Sequence, residues 1–310
     1  MSFSGLIVQL LNGLAGASSL FLVAAGLSLI FGVTRIVNFA HGSFFMLGIY
    51  MAYTLVERLG AGLGFWPALA LAALAVGIVG ALVEVVLLRR IYHAPELFQL
   101  LATFALVLVI KDGVLWLWGP GELMGPRAPG LSGAVNILGR EFPSYDLFLI
   151  VFGPLVLGGI WLLLTRTRFG TLVRAATQDR EMISALGVNQ AWLFTAVFAL
   201  GTLLAGLGGA LQLPREPAAL DLDLNTLASA FVVVVVGGLG SIPGAYVAAL
   251  LIAEIKAFCI WLGVVQIFGI SISFSKLTLV TDFLVMALVL VARPWGLMGR
   301  PQTPNRYVGT

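Results

Sequence analysis

The sequence predicts an all-α fold, a polytopic transmembrane helical bundle of about 8 to 10 spans, and three observations carry that reading. Of the 310 residues 60% are hydrophobic and 10% charged, and the mean hydropathy is +1.06, far above the roughly half-apolar make-up of soluble domains. The apolar runs reach the ~20 residues that an α-helix needs to cross a hydrocarbon core. No segment shows the ~10-residue alternation of an outer-membrane barrel.

Taken in order, the predicted spans are 6–33, 43–57, 65–88, 98–118, 146–165, 191–213, 227–238, 244–263 and 277–292. The first is followed by no small-residue cleavage site, so it reads as a retained span and not as a secretory signal. Those at 43–57 and 227–238 are shorter than a bilayer and call for tilt, a break or re-entry. Between the spans, one set of alternate loops and the tail collects Arg35, Arg89, Arg90, Arg166, Arg168, Arg174, Arg180, Arg293, Arg300 and Arg306. The other set holds Arg58, Arg127, Arg140, Arg215 and Lys276. Because short loops rich in Lys and Arg stay in the cytoplasm, the C-terminus is expected inside and the N-terminus outside. The outside loops at 119–145 and 214–226 are rich in Gly, Pro and acidic residues and are either solvated connectors or docking sites for a partner.

The longest polar stretch on the positive side, "TRTRFGTLVRAATQDREMISALGVNQ" at 165–190, has no Pro or Gly between Leu172 and Leu186, and Gly187 follows as a C-cap. An amphipathic helix across the cytoplasmic side is expected. Two roles fit it: resting on the membrane surface with the arginines as anchors, or docking a soluble protein whose movement a rigid helix would pass into the bundle.

Three stretches carry a family resemblance. "GLSLIFGVTRIVNFAHGSFFMLGIY", "RFGTLVRAATQDREMISALGVN" and "FVVVVVGGLGSIPGAYVAALLIAE" together resemble the membrane permease subunits of branched-chain amino acid ABC importers, the H-type permease of the high-affinity Leu/Ile/Val importer in particular. The likeness runs in order through nearly the whole chain. It implies a single permease domain over 1–310, with 165–190 as the cytoplasmic coupling loop that fits a groove of an ATP-hydrolysing subunit. Arg174, Ala175, Ala176, Asp179, Glu181 and Gly187 occupy the matching positions. The match to the general importer pattern of Glu-Ala-Ala followed by Gly is imperfect, since Arg174 stands where the acidic residue would be and Gly187 comes later.

The partners the resemblance implies are a second permease (a related paralogue or a second copy), two cytoplasmic ATPases, an extracytoplasmic solute-binding protein and the lipid bilayer, with no nucleic acid. The site of action would be the bacterial inner membrane. Relatives of this kind carry leucine, isoleucine and valine, or urea, short amides and aromatic acids. The chain itself has three lysines, none in a Gly-x-x-x-x-Gly-Lys-Ser/Thr phosphate loop, so ATP and Mg²⁺ are expected on the partner subunits and no cofactor on this chain. That absence also fits a stand-alone channel or an ion-coupled carrier. A carrier, however, needs carboxylates deep in its spans, and these are sparse: Glu57 and Glu84 lie near span ends, Asp282 near the start of the last span. Asp112 beside Lys111, and Glu254 with Lys256, are deeper, and neither pair can neutralise itself along one helix. A cross-helix pair such as Asp112 with Lys256 would remove the cost of isolated charge, structural pairing or snorkelling being the favoured role of these groups.

Covalent chemistry has little support. His41 and Cys259 offer too few metal ligands, and Ser43 lacks a base and an orienting acid. "TRIVNFAHGSFF" at 34–45 instead reads as a polar turn at the inner end of the first two spans. Unwound backbone in a membrane persists only where protein or a water-filled cavity satisfies it. Asn38, His41, Gly42 and Ser43 are the candidate translocation-pathway residues of this turn, helix capping being the other role open to Asn38 and His41. A second such turn follows the β-branched run of "VVVVVGGLGSIPGAYVAALL", with Gly237, Gly238, Gly240, Ser241, Pro243 and Gly244 as its candidates. Gly201, Gly206, Gly208 and Gly209 read as helix-packing glycines.

Overall fold

The computed structural model describes residues 3–178, 180–267 and 270–299. The helices are α1 (Phe3–Thr34), α2 (His41–Leu63) and α3 (Phe65–Val83), which continues through a π-helical turn (Glu84–Leu88) into α4 (Arg89–Ile91). Then come α5 (Glu96–Trp118), the hairpin β1 (Ala134–Ile137) and β2 (Arg140–Pro143), and α6 (Ser144–Arg166). Two short helices follow, α7 (Arg168–Gln178) and α8 (Arg180–Ala185), before α9 (Gln190–Gln212), α10 (Leu222–Gly237) and α11 (Ile242–Leu262). A second hairpin, β3 (Val264–Ile267) with β4 (Ile270–Ser273), leads to α12 (Phe274–Ala292).

Among the described residues seven helices are long and apolar enough to cross a membrane, and α10 is a shorter apolar helix. Each predicted span corresponds to one helix. The 43–57 segment is longer than expected, since α2 runs for 23 residues, and α10 starts five residues before the predicted 227.

Packing fixes the arrangement. Gly13 of α1 faces Ala257 of α11, and Gly32 faces Gly240 at the start of the same helix, so α1 and α11 are antiparallel neighbours. At the centre α9 packs on α1, α2 and α3. A Cβ on Gly26 would overlap the Gly201 carbonyl, one on Gly48 the Gly206 carbonyl, and one on Gly209 the Phe45 carbonyl. Backbone approaches backbone because lipid offers helices no hydrophobic drive to associate, and close van der Waals contact through small residues takes its place. The packing glycines of α9 are thus seated as the sequence indicates. By contrast α5, α6 and α12 bury only about a fifth of their apolar windows and form the periphery.

Thr34, the π turn, α7, α8 and the Gly238–Ser241 turn lie at one end of the bundle, called the coupling end after the role that the resemblance implies for 165–190. Phe3, both hairpins and the 213–221 loop lie at the other. The residues of the tail seal the coupling end: Leu297 N donates to Val236 O (2.8 Å) and Met298 N to Gly237 O (3.0 Å). Gly238, at φ 101°, is needed there because a Cβ would overlap the backbone of Gly299.

Candidate functional site

The two glycine-bearing turns are packed joints. After α1 the chain leaves the helix through Arg35 at φ 57° and folds back into the bundle. The His41 ring reaches Val23 O with Nε2 (2.9 Å), eleven residues, or about 16 Å of helix rise, back from Thr34. Asn38 Oδ1 accepts from Ala40 N (3.1 Å), an Asx-type turn rather than a helix cap. Asn38, His41 and Ser43 are at most 1% exposed, and Gly42 lies against the Asp223 carbonyl of α10. The space beside this turn, lined by Thr34, Asn38, Tyr92 and Thr103 among others, is about 10 Å³, room for about one water. In the second turn Gly237 and Gly244 touch backbone to backbone, Ser241 Oγ accepts from Gly244 N (3.1 Å) to cap α11, and Pro243 occupies its first turn. Gly240 rests on Gly32. The polar side chains of the first turn are enclosed, whereas in the second Ser241 is half-buried and Pro243 exposed.

Open polar space lies in the other half. A cavity of about 510 Å³ is bounded by α1, α10, α11 and the 213–221 loop, with Asn12, Ser19, Gln212, Thr226, Ser229 and Lys256 among its polar groups. Leu20, Val23, Phe45 and Ile260 give it apolar wall. The sequence reading missed this site, although a signal exists. The lining residues of α1 recur as Gln9, Asn12, Gly13, Gly16, Ser19, Leu20 and Val23, those of α10 as Leu222, Asn225, Thr226 and Ser229, and those of α11 as Ala253, Lys256, Ala257 and Ile260. Each series steps by three and four, one face of a helix.

The charges pair across helices, with other partners than expected. Lys256 Nζ holds Asp282 of α12 at 2.7 and 2.8 Å, and Ser229 Oγ donates to the same carboxylate (2.9 Å). Lys111 meets Asp223 at the start of α10 (3.4 Å), while Asp112 points away from the bundle and is exposed. The Asp112–Lys256 pair is therefore not formed: Asp112 sits on the outward face of α5, and α12 brings Asp282 to Lys256 instead. Arg215 Nε pairs with Asp146 (2.9 Å). Arg215 lines both the first cavity and a second of about 830 Å³ beneath the 119–143 loop, which also holds Arg127 and Glu141. Glu84, expected to reach the interface, is fully buried, because the π turn faces it inward.

The 165–190 segment is helical over Arg168–Gln178 and Arg180–Ala185, on either side of residue 179. α7 begins four residues earlier than predicted, at Arg168. Gly170 is pressed on Leu163 and Leu164 of α6, which turns the chain sharply at the end of that helix. Arg174 Nη1 donates to the Leu164 carbonyl, fastening α7 to the C-terminus of α6. Ala176 is buried and Ala175 half-buried against the bundle. Gly187, at φ 81°, ends α8 as the sequence indicates, with Val188 N donating to Ile183 O (3.3 Å) as in a Schellman cap. Asp179 lies outside the described residues; Glu181 is within α8. Met182 and Leu186 are 58% and 75% exposed, an apolar face at the coupling end. Asn189 caps α9 through Trp192 N (3.1 Å).

These features define a class, a multi-pass helical membrane protein with a polar cavity among its spans and a structured, solvent-facing helical segment at one end. Comparison with known sequences then makes the assignment specific. Residues 9–292 match the model of the family described as the branched-chain amino acid transport system / permease component, and the chain belongs to that family. It is 30% identical over 305 residues to the high-affinity branched-chain amino acid transport system permease protein BraD of Pseudomonas aeruginosa, covering 95% of this chain and 96% of that one. It is 24% identical to the LivH permease protein of the same description from Escherichia coli K12, at the same coverages. A probable branched-chain amino acid transport permease protein LivH from Methanocaldococcus jannaschii is 28% identical, covering 90% of this chain and 88% of that one. A transport permease is thereby the supported reading, and a stand-alone channel or ion-coupled carrier is not favoured.

Proposed function

We propose that residues 1–310 form one permease domain of an ABC importer in the bacterial inner membrane, carrying branched-chain amino acids or related small polar solutes. It works with a second permease, paralogous or identical, with two cytoplasmic ATPases that bind ATP and Mg²⁺, and with an extracytoplasmic solute-binding protein. The coupling end is cytoplasmic, as the arginine distribution favours. The observation that carries this reading is the α7–α8 pair. It is held to α6 through Gly170 and Arg174 and runs into the Asn189 cap of α9, and it presents Met182 and Leu186 outward, so a push on it enters α6 and α9. The solute's path runs along the α1, α10 and α11 face. Polar groups such as Asn12, Thr226 and Lys256 are costly against lipid and are retained where they line a water-filled route or meet a partner.

The test is uptake by proteoliposomes carrying the complex with its ATPases and binding protein. Uptake is expected to require ATP inside and to be abolished, with loss of ATPase co-purification, when Arg174 and Asp179 are both replaced by Ala. Accumulation driven by a proton or sodium gradient without ATP overturns the reading.

A further inference from the structure

At the coupling end α3 and α9 are clasped through a buried carboxylate. Glu84 opens the π turn and is fully buried, while Val85 and Val86 beside it face outward, 42% and 58% exposed. Its Oε2 accepts from Thr195 Oγ1 (2.5 Å) in the second turn of α9 and from Arg89 Nη2 (3.2 Å) one turn along its own helix. The same Arg89 nitrogen donates to Thr195 Oγ1 (2.5 Å) and reaches the Ala191 carbonyl (3.4 Å) in the first turn of α9. Glu84 Oε1 accepts from the Tyr92 hydroxyl (3.1 Å). The Tyr92 ring packs edge-on against Phe194 of α9, and its carbonyl accepts from Gln99 Nε2 (3.2 Å) at the start of α5. Burial, with the Glu84 charge beside it, pushes the Tyr92 hydroxyl up, so it stays a donor.

Three features set this cluster apart from an ordinary brace. A buried charge is expensive, and an apolar set of the same volume often stabilises as well or better. A π turn is rare and recurs at functional sites. The cluster also sits at the exit of α8: Ala191 and Thr195 are separated from Gly187 by only a few residues of chain. Tyr92 further lines the small void shared with Asn38 and Thr34, which places the α1–α2 joint directly behind it.

We propose that Glu84, Arg89 and Thr195 are positioning residues for coupling, a polar clasp that makes α3 follow α9 when the α7–α8 segment is displaced. The inference rests on the ATPase-coupled reading given above. A charged, multiply hydrogen-bonded contact suits this task because it is directional and strong, and has few alternative geometries.

The test compares Glu84→Gln, Thr195→Val and Thr195→Ser in the complete reconstituted complex, reading solute uptake, ATP hydrolysis and thermal midpoint. For Glu84→Gln and Thr195→Val, ATPase co-purification and hydrolysis per assembled complex are expected to stay within twofold of the parent, even where the midpoint falls because Arg89 has lost its carboxylate. Uptake per ATP is expected to fall tenfold or more. Thr195→Ser, which restores the hydroxyl, is expected to return the ratio to within twofold of the parent. An unchanged ratio in both variants overturns the clasp, as does a proportional loss of uptake and hydrolysis with a lowered midpoint, the mark of a purely structural contact. Should Glu84→Gln fail to assemble, the Thr195 pair decides alone. Failure of the underlying reading is distinct, because the unaltered chain would then show no ATP-dependent uptake at all.

Discussion

The half of the bundle that contains Asn38, His41 and Glu84 and the half that contains Asn12, Ser229 and Lys256 use the same kinds of side chain to opposite ends. In the first the polar groups are enclosed, and glycine-to-glycine contacts hold α1, α2 and α9 at backbone distance. In the second they line an open cavity, and Gly16 beside them has no atom within 4 Å of where a Cβ would stand. Enclosed polar groups that find a partner behave as fasteners, as His41 does on Val23 and Glu84 on Thr195, since an unmade buried hydrogen bond is costly. Groups on a wet wall have no such obligation and are free to meet a solute. The difference teaches that a polar residue in a membrane span acquires its role from what packs on it.

The contrast can be broken most sharply at the glycines. Gly48→Ala, which forces a methyl into the Gly206 backbone, is expected to cost about 3 kcal/mol, the upper end of ordinary overpacking. Gly16→Ala on the open wall is expected to cost less than about 0.5 kcal/mol. Thermal or denaturant unfolding of the two purified variants checks the pair, and equal losses would erase the distinction between the halves.

Next in size, Lys256→Met strands the Asp282 carboxylate. Breaking a fully buried pair costs about 3–5 kcal/mol; with Lys256 29% exposed, solvent screening reduces the expected loss to about 1–2 kcal/mol. Combining it with Asp282→Asn should recover stability but not uptake, which locates the lysine's importance in the cavity. Uptake restored along with stability would make the pair merely structural.

A smaller effect is expected for His41→Phe, which deletes the bond to Val23 and costs about 1 kcal/mol. The KM for uptake should be unchanged, and a shifted KM would move His41 from joint to route. Smallest in stability is Thr226→Val on the cavity wall, within about 0.5 kcal/mol. Here the KM is expected to move severalfold while the midpoint does not.

The helical architecture was legible because bilayer length imposes runs of apolar residues that composition alone reveals. The packing glycines of α9 and the Gly187 stop at the end of α8 could likewise be read from residue type. What escaped was everything decided by a neighbour. Nothing local tells Lys256 to choose Asp282 over Asp112, because the choice depends on α12 lying against α11 while the Asp112 side of α5 faces outward. Glu84 reads as a span-end residue able to reach water until the π turn rotates it inward. The cavity face was readable in principle from the three-and-four spacing on α1, α10 and α11, but Asn12, Ser19, Thr226 and Ser229 are scattered among apolar residues, whereas "NFAHGS" gathers its polar residues in one place.

The tail's hold on α10 has a consequence for biogenesis. The carbonyls of Val236 and Gly237 are answered by the amides of Leu297 and Met298 respectively, about sixty residues downstream, so this corner stays unfinished until those residues have left the ribosome. Shortening the polypeptide to residue 293 would remove both amides, leaving a nascent product that holds all nine predicted spans but whose rim beside α10 never closes.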